Sequence, residues 1–204
     1  MVKIVVWFIS CTLMLWNIQA YAATTTLLIL GDSLSAGHRM NTSQSWPTLL
    51  QEKLPNVQII NASSSGETSS GGARRLPALL VKYHPNWCLL ELGGNDGLQG
   101  LPPKFLKTQL TNMIQQSMQA QCRVILSEIK IPPNYGKRYS ESFNQVYHQL
   151  AQQFKLPLMP FFVEPIYQEK EMMQADGIHP SVKAQPIIAS EVAKFLKPIL
   201  GKNK

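Results

Sequence analysis

The stretch LLILGDSLSAG, residues 27–37, sets a run of strand-forming apolar residues directly against Gly31, Asp32 and Ser33. An uninterrupted apolar run of this kind is typical of a strand that is buried on both faces of a parallel sheet. A turn after this strand does not require an aspartate and a serine, so the presence of Asp32 and Ser33 needs another explanation. We interpret Ser33 as a candidate nucleophile that the first strand presents at its carboxyl end.

Four further apolar runs indicate four more strands: VQIINA (57–62), WCLLEL (87–92), CRVILSEI (122–129) and LPLMPFF (156–162), the last cut short by Pro160. Segments with helical spacing separate these runs. The stripe from Leu106 to Met118 predicts a helix before the fourth strand, and the stripe from Leu76 to Tyr83 predicts a shorter helix that begins near Pro77. Strands that alternate with helices in this way predict an α/β fold with an open, mostly parallel, five-stranded sheet.

The first 22 residues have the charged, apolar and small-residue order of a secretory signal peptide, with cleavage expected after Ala22. The apolar run from Ile4 to Trp16 is shorter than the roughly 20 residues that a membrane-spanning helix needs. An uncleaved membrane anchor is the alternative. Cleavage leaves residues 23–204, which have the length of a single domain. The expected location is therefore the periplasm or the outside of the cell.

The chain carries a formal net charge of +7 but contains no basic run interleaved with aromatic residues, so nucleic acid is not an expected partner. A mildly basic exported protein could instead favour anionic lipid surfaces. Cys88 and Cys122 remain after cleavage, and they could form a disulfide if their strands are neighbours. The sequence contains no CxxC motif or Cys/His cluster, and we expect neither a metal nor another cofactor.

A serine hydroxyl is a poor nucleophile until a base takes its proton, and the base needs a third group to hold its tautomer. His179 lies in ADGIHPS, three residues after Asp176, in a loop that is punctuated by glycine and proline. This spacing lets one loop present both the base and its carboxylate partner. We expect the other histidines, His38, His84 and His148, to lie at the surface or in supporting positions.

Polar segments that contain glycine follow the first three strands: Gly31-Asp32-Ser33, Ala62-Ser63-Ser64-Ser65-Gly66 and Gly93-Gly94-Asn95-Asp96. Ligands of open α/β sheets bind outside the carboxyl ends of the strands, so these segments are expected to meet at one edge of the sheet. Acyl transfer also needs hydrogen-bond donors for the developing oxyanion. The candidate donors are the backbone N–H groups of Ser33 and Gly66 and the side-chain amide of Asn95.

Four blocks of the sequence, GDSLSAG, ASSSGETS with Gly66, GGNDG and DGIHP, resemble in order the four blocks of the SGNH/GDSL hydrolases. The resemblance runs over nearly all of residues 23–204. It implies a flavodoxin-like, three-layer α/β/α sandwich. It also implies that Ser33 is the nucleophile and an oxyanion donor, that Gly66 and Asn95 complete the oxyanion hole, and that Asp176 orients the base His179.

Two loops after strands offer apolar residues for an acyl pocket. The segments GLQGLPP (97–103) and IKIPPNYG (129–136) provide the candidate substrate-binding residues Leu98, Leu101, Pro102, Ile131, Pro132 and Tyr135. Together with the resemblance, they predict a monomeric serine esterase that forms a covalent acyl-enzyme. The expected partners are small molecules (acyl thioesters, lysophospholipids and simple carboxylic or aryl esters), with transient contact at a membrane surface.

Two other functions are compatible with the same residues. A carbohydrate O-acetylesterase would use the same triad with a shallow polar pocket, which the apolar loops disfavour. A noncatalytic binding module would leave the cleft without chemistry, and replacement of Ser33 would then abolish no activity.

Overall fold

Five parallel strands form the centre of the fold: β1 (Thr25–Gly31), β2 (Val57–Asn61), β3 (Trp87–Glu91), β4 (Arg123–Ser127) and β5 (Leu158–Met159). The computed structural model describes residues 25–201, so the predicted signal peptide lies outside the described residues. The strand order is β2-β1-β3-β4-β5, and every neighbouring pair is parallel. This order is the flavodoxin-like one, with its switch point between β1 and β3.

Helices cover both faces of the sheet: α1 (Ser33–Ala36), α2 (Trp46–Lys53), α3 (Ser69–Tyr83), α4 (Gly94–Leu98), α5 (Pro103–Gln119), α6 (Lys137–Phe154) and α7 (Gln185–Leu200). Successive side chains of β1 point to opposite faces, so Leu27 and Ile29 pack with α2 and α7, while Leu28 and Leu30 pack with α3, α5 and α6. All four side chains are completely buried. The predicted three-layer α/β architecture is confirmed.

Three details of the helices differ from the sequence-based expectation. The helix α3 begins at Ser69 rather than near Pro77, because the Thr68 hydroxyl caps it by accepting a bond from the N–H of Gly71 at 3.2 Å. Met118 does not face the core but is 53% exposed, since the buried stripe of α5 continues through Ser117 instead. The helix α2 was not predicted from the sequence.

Cys88 and Cys122 lie in β3 and directly before β4, two neighbouring strands, as the disulfide hypothesis required. Both thiols are nevertheless free and buried. Contact with the Cys88 thiol, followed by burial, raises the pKa of the Cys122 thiol, which therefore stays protonated. Within residues 25–201, no helix combines the length and apolarity that crossing a bilayer requires.

Candidate active site

The three polar segments meet at the carboxyl edge of the sheet, as expected from the topology. Backbone hydrogen bonds join the segment after β2 to β1, from the N–H of Ala62 to the carbonyl of Ile29 at 2.9 Å and from the N–H of Ser64 to the carbonyl of Gly31 at 3.1 Å. Nδ2 of Asn95, in the segment after β3, donates to the carbonyl of Glu67 at 2.9 Å. The three segments therefore form one connected surface.

Ser33, His179 and Asp176 form a continuous hydrogen-bonded chain. Oγ of Ser33 lies 2.8 Å from Nε2 of His179, and Nδ1 of His179 lies 2.8 Å from Oδ2 of Asp176. The pKa of Asp176 lies below its usual range. Burial opposes this shift, but it is outweighed by hydrogen bonds from the backbone N–H groups of His179 and Ile178 and by contact with the His179 ring. An ionised Asp176 accepts a hydrogen bond from the N–H at Nδ1, which leaves Nε2 as an acceptor for the serine hydroxyl.

Small and polar residues around Ser33 fix its position at the end of β1. Ser33 is the first residue of α1, and Oδ1 of Asp32 caps this helix by accepting a bond from the N–H of Leu34 at 3.0 Å. A Cβ atom at Gly31 would lie only 2.3 Å from Oε2 of Glu91. The close approach of β1 to Glu91 therefore requires glycine immediately before the Asp-Ser pair.

Two of the predicted oxyanion donors lie on the wall of the cavity that contains Ser33. Gly66 adopts a left-handed backbone conformation with φ of 78°, which glycine adopts without strain. Nδ2 of Asn95 lies 3.3 Å from Oδ2 of Asp32, a longer contact than its bond to Glu67. Ser33, Gly66 and Asn95 all line the same cavity. The structure thus brings together all five residues predicted for the triad and the oxyanion hole.

Asp32 and Glu91 form a buried pair of carboxyl groups beneath Ser33. Oε2 of Glu91 accepts a bond from the Ser35 hydroxyl at 2.5 Å and one from the N–H of Asp32 at 3.3 Å. Burial, partly offset by the N–H of Leu34, raises the pKa of Asp32 to about 7. Burial and the neighbouring Asp32 raise the pKa of Glu91 well above its ordinary value, although the hydrogen bonds from the Ser35 hydroxyl and the N–H of Asp32 oppose this shift.

We expect Glu91→Gln to flatten the pH dependence of stability. The folded chain holds the Glu91 proton more tightly than the unfolded chain does. The corresponding stability is therefore complete at low pH and is lost as the pH rises above 4.5, the ordinary value for glutamate. Glutamine keeps the neutral shape but does not titrate. The slope of the free energy of unfolding against pH should become less negative, by at most about 1.4 kcal/mol per pH unit.

Urea unfolding at several pH values between about pH 5 and pH 8 measures this slope. Glu52→Gln, which removes an exposed carboxylate on α2, is the matched control and should leave the slope of the wild type unchanged. Equal slopes for Glu91→Gln and the wild type would contradict a raised pKa of Glu91 in the folded chain.

A cavity of about 490 Å³ opens beside Ser33 and His179. Its volume is in the range of small-molecule sites. Most of the wall is apolar and is formed by Leu34, Leu98, Ile129, Ile131, Phe161 and Ile178. Nζ of Lys130 and Oε1 of Glu164 also line it and form an ion pair at 2.5 Å. The site therefore combines a largely apolar wall with a partly exposed ion pair.

Three of the six predicted substrate-binding residues, Leu98, Ile131 and Pro132, line this cavity, and three, Leu101, Pro102 and Tyr135, do not. The Tyr135 hydroxyl instead donates to the carbonyl of Leu98 at 3.0 Å, so it supports the wall from behind. The carbonyl of Leu101 accepts a bond from the Tyr139 hydroxyl at 2.7 Å, and Pro102 is exposed. The loop after α4 thus turns away from the cavity after Leu98.

The segment after β5 forms a part of the wall that was not predicted from the sequence. It contributes Phe161, Glu164, Tyr167 and Gln168. Because β5 is parallel to the other strands, its carboxyl end lies at the same edge of the sheet, and the rule applied to the first three strands would have found it. Only two residues pair as strand in β5, so its sequence signal is short.

One group of possible metal ligands occurs in the described part of the chain: donor atoms of His38, Asp176 and His179 lie within 4.8 Å of one another. Both ring nitrogens of His179 are already hydrogen-bonded, to Ser33 and to Asp176. The rings of His38 and His179 are inclined by only 24°, so their in-plane lone pairs do not converge on one point. This arrangement fits proton transfer better than metal ligation.

Comparison with known proteins identifies the family of this chain. The sequence model of the GDSL-like lipase/acylhydrolase family matches residues 29–185. The chain belongs to this family. As a family member with curated esterase relatives it is a serine esterase, and its fold is that of the SGNH hydrolases.

Two curated relatives and one solved structure from this family cover most of the chain. The thioesterase 1/protease 1/lysophospholipase L1 of Escherichia coli is 49% identical over 181 residues, which are 88% of this chain and 87% of that protein. The esterase TesA of Pseudomonas aeruginosa is 48% identical over 183 residues, 88% and 91% of the two chains. The structure of the psychrotrophic esterase EstA from Pseudoalteromonas sp., inhibited by monoethylphosphonate, superimposes with a TM-score of 0.85 at 44% identity, over 87% of this chain and 100% of that one.

Proposed function

We propose that this esterase hydrolyses acyl thioesters, lysophospholipids and simple carboxylic or aryl esters through a covalent acyl-enzyme on Ser33. The observation that carries the proposal is the pair of hydrogen bonds that connects Ser33 to His179 and His179 to Asp176. Ser33 and His179 line a largely apolar cavity. Triads of this kind activate serine for attack on a carbonyl carbon.

In the first half of the reaction, Oγ of Ser33 forms a bond to the acyl carbon while Nε2 of His179 takes the hydroxyl proton. The oxyanion accepts bonds from the N–H groups of Ser33 and Gly66 and from the Asn95 amide. Collapse of this intermediate breaks the bond to the alcohol or thiol, which takes the proton from His179. Water then repeats the sequence on the acyl-enzyme, releasing the acid and restoring Ser33.

The apolar wall and the partly exposed ion pair support different parts of the substrate assignment. Leu98, Ile131 and Phe161 offer apolar contacts to an acyl chain. Lys130, with 41% of its side chain exposed, offers a cation for the phosphate of a lysophospholipid or of an acyl thioester of coenzyme A. The names of the relatives, which include thioesterase and lysophospholipase, support the same classes.

We expect kcat/KM to rise with acyl chain length on a series of nitrophenyl esters from acetyl upward. Each buried methylene contributes at most about 0.8 kcal/mol, or about fourfold in kcat/KM, until the cavity is full. Leu98→Trp, which fills part of the chamber, should abolish the gain for the longer esters and spare the acetyl ester.

Met118→Trp is the control for this series, because it adds the same indole to an exposed position on α5 away from the cavity wall. It should reproduce the wild-type dependence on chain length. A wild type that prefers the acetyl ester would contradict the acyl chamber and would favour a carbohydrate O-acetylesterase.

We further propose that the protein is exported and acts as a monomeric catalytic domain over residues 23–204. The signal-peptide pattern of residues 1–22 supports export. The monomer proposal is supported by the fact that one chain supplies the triad and all the proposed oxyanion donors. Tyr167 and Ile178 line the cavity and are 45% and 39% exposed, which supports transient contact with a lipid surface that delivers substrate.

A further inference from the structure

His38 lies face to face with His179. The two ring centroids are 4.0 Å apart, and the ring planes are inclined by 24°. The mechanism above assigns no part to His38, and the sequence pattern gave it only a surface or supporting position. Its ring nevertheless covers one face of the imidazole that contacts Ser33.

The loop that carries His38 is built to hold this position. Both neighbours of His38 have left-handed backbone conformations, with φ of 77° at Gly37 and 53° at Arg39. Nε2 of Gln174 donates to the carbonyl of His38 at 3.0 Å and to the carbonyl of Pro180 at 3.1 Å. One amide therefore connects the His38 loop to the loop that carries His179.

A face contact constrains the base in a direction that its hydrogen bonds leave free. The bonds of His179 to Ser33 and Asp176 lie along the ring edges and fix the two nitrogens. They resist tilting of the ring about the line through those nitrogens only weakly. A second ring stacked at 4.0 Å blocks this tilt on one side.

The charge of His38 matters because His179 carries a positive charge after it takes the serine proton. Burial first, then the neighbouring His179 and Arg39, lower the pKa of His38, while Asp176 opposes this shift. Because the pKa of His38 is lowered overall, the neutral form of its ring is favoured. The aromatic face of a neutral ring can stabilise an adjacent cation. A cation at this position would instead repel the imidazolium across a few ångströms.

We propose that His38 is a positioning residue for the esterase reaction, which holds the His179 ring by stacking and presents a neutral aromatic face to the imidazolium. The proposal rests on the proposed role of His179 as the base. It assigns no bond making or breaking to His38, and any neutral aromatic ring of similar size can replace it.

The test compares three substitutions that separate stacking from charge. His38→Phe keeps a neutral ring, and kcat should stay within about threefold of the wild type. His38→Gln removes the ring, and kcat should fall about threefold to tenfold with little change in KM. His38→Lys replaces the ring with a flexible side chain that ends in a positive charge. Its kcat should be at least about tenfold lower than that of His38→Gln, with partial recovery at high salt.

The controls separate this proposal from the proposed function. His84→Lys introduces the same charge at the exposed carboxyl end of α3, and it should leave kcat unchanged. If His179→Ala turns over like the wild type, the base assignment fails and this proposal fails with it. If His179→Ala is inactive while His38→Phe, His38→Gln and His38→Lys share one kcat, only the proposal for His38 is overturned.

Discussion

Ser33→Ala is expected to lower kcat for a nitrophenyl ester by about 10⁴- to 10⁶-fold, because the triad acts as a unit. KM should change little, since the apolar wall that binds the acyl chain is untouched. The substitution removes one oxygen from a partly exposed residue, so the free energy of unfolding should stay near that of the wild type. Steady-state kinetics and labelling with a fluorophosphonate probe measure the effect, and the variant should take up no label.

Ser64→Ala is the matched control, because Ser64 is an exposed serine at the same edge of the sheet and does not line the cavity. It should retain both activity and labelling. A Ser33→Ala variant that keeps wild-type turnover would eliminate Ser33 as the nucleophile. If the wild type neither labels nor hydrolyses any ester of the series, a noncatalytic binding module becomes the better explanation.

Asn95→Ala is expected to lower kcat by about 10²- to 10³-fold, which is the effect of removing one oxyanion donor. The bond of Nδ2 to the carbonyl of Glu67, at 2.9 Å, holds the amide in place. The second N–H of Asn95 Nδ2 makes only the longer contact, 3.3 Å from Nδ2 to Oδ2 of Asp32, and is therefore available to the oxyanion. Because the oxyanion exists only near the transition state, the loss should appear in kcat rather than in KM.

Asn112→Ala, at an exposed position on α5, controls for removal of an amide as such and should leave kcat unchanged. Asn95 also joins two loops, so thermal unfolding of each variant is measured alongside the kinetics. A loss of less than about fivefold for a folded Asn95→Ala would contradict its place in the oxyanion hole.

The position of the site could be predicted because it depends on one topological rule. Parallel strands end at one edge, so Ser33 and Asn95 had to meet once their strands were recognised. The local loop geometry of Asp176 and His179 also followed from a spacing of three residues. These inferences need only the strand pattern and the chain order, both of which the sequence carries directly.

The remaining features depend on packing between segments that are distant in the chain. Nothing in the local sequence distinguishes His38 from a surface histidine, because its partner is His179, and the two loops meet only in the folded chain. Leu98, at the end of α4, and Leu101, three residues later, are equally apolar, yet only Leu98 lines the cavity. Which side of a loop faces a cavity is decided by contacts such as the Tyr139 bond to Leu101.

The chain order of the proposed triad has a consequence for when the protein can act. Ser33 directly follows β1, whereas His179 lies 146 residues later, just before α7 packs with α2 against the sheet. A nascent polypeptide therefore holds an attacking hydroxyl without its proton acceptor. Hydrolysis is therefore possible only after the chain has been completed through the segment before α7 and has folded, so an unfinished chain consumes no ester or thioester.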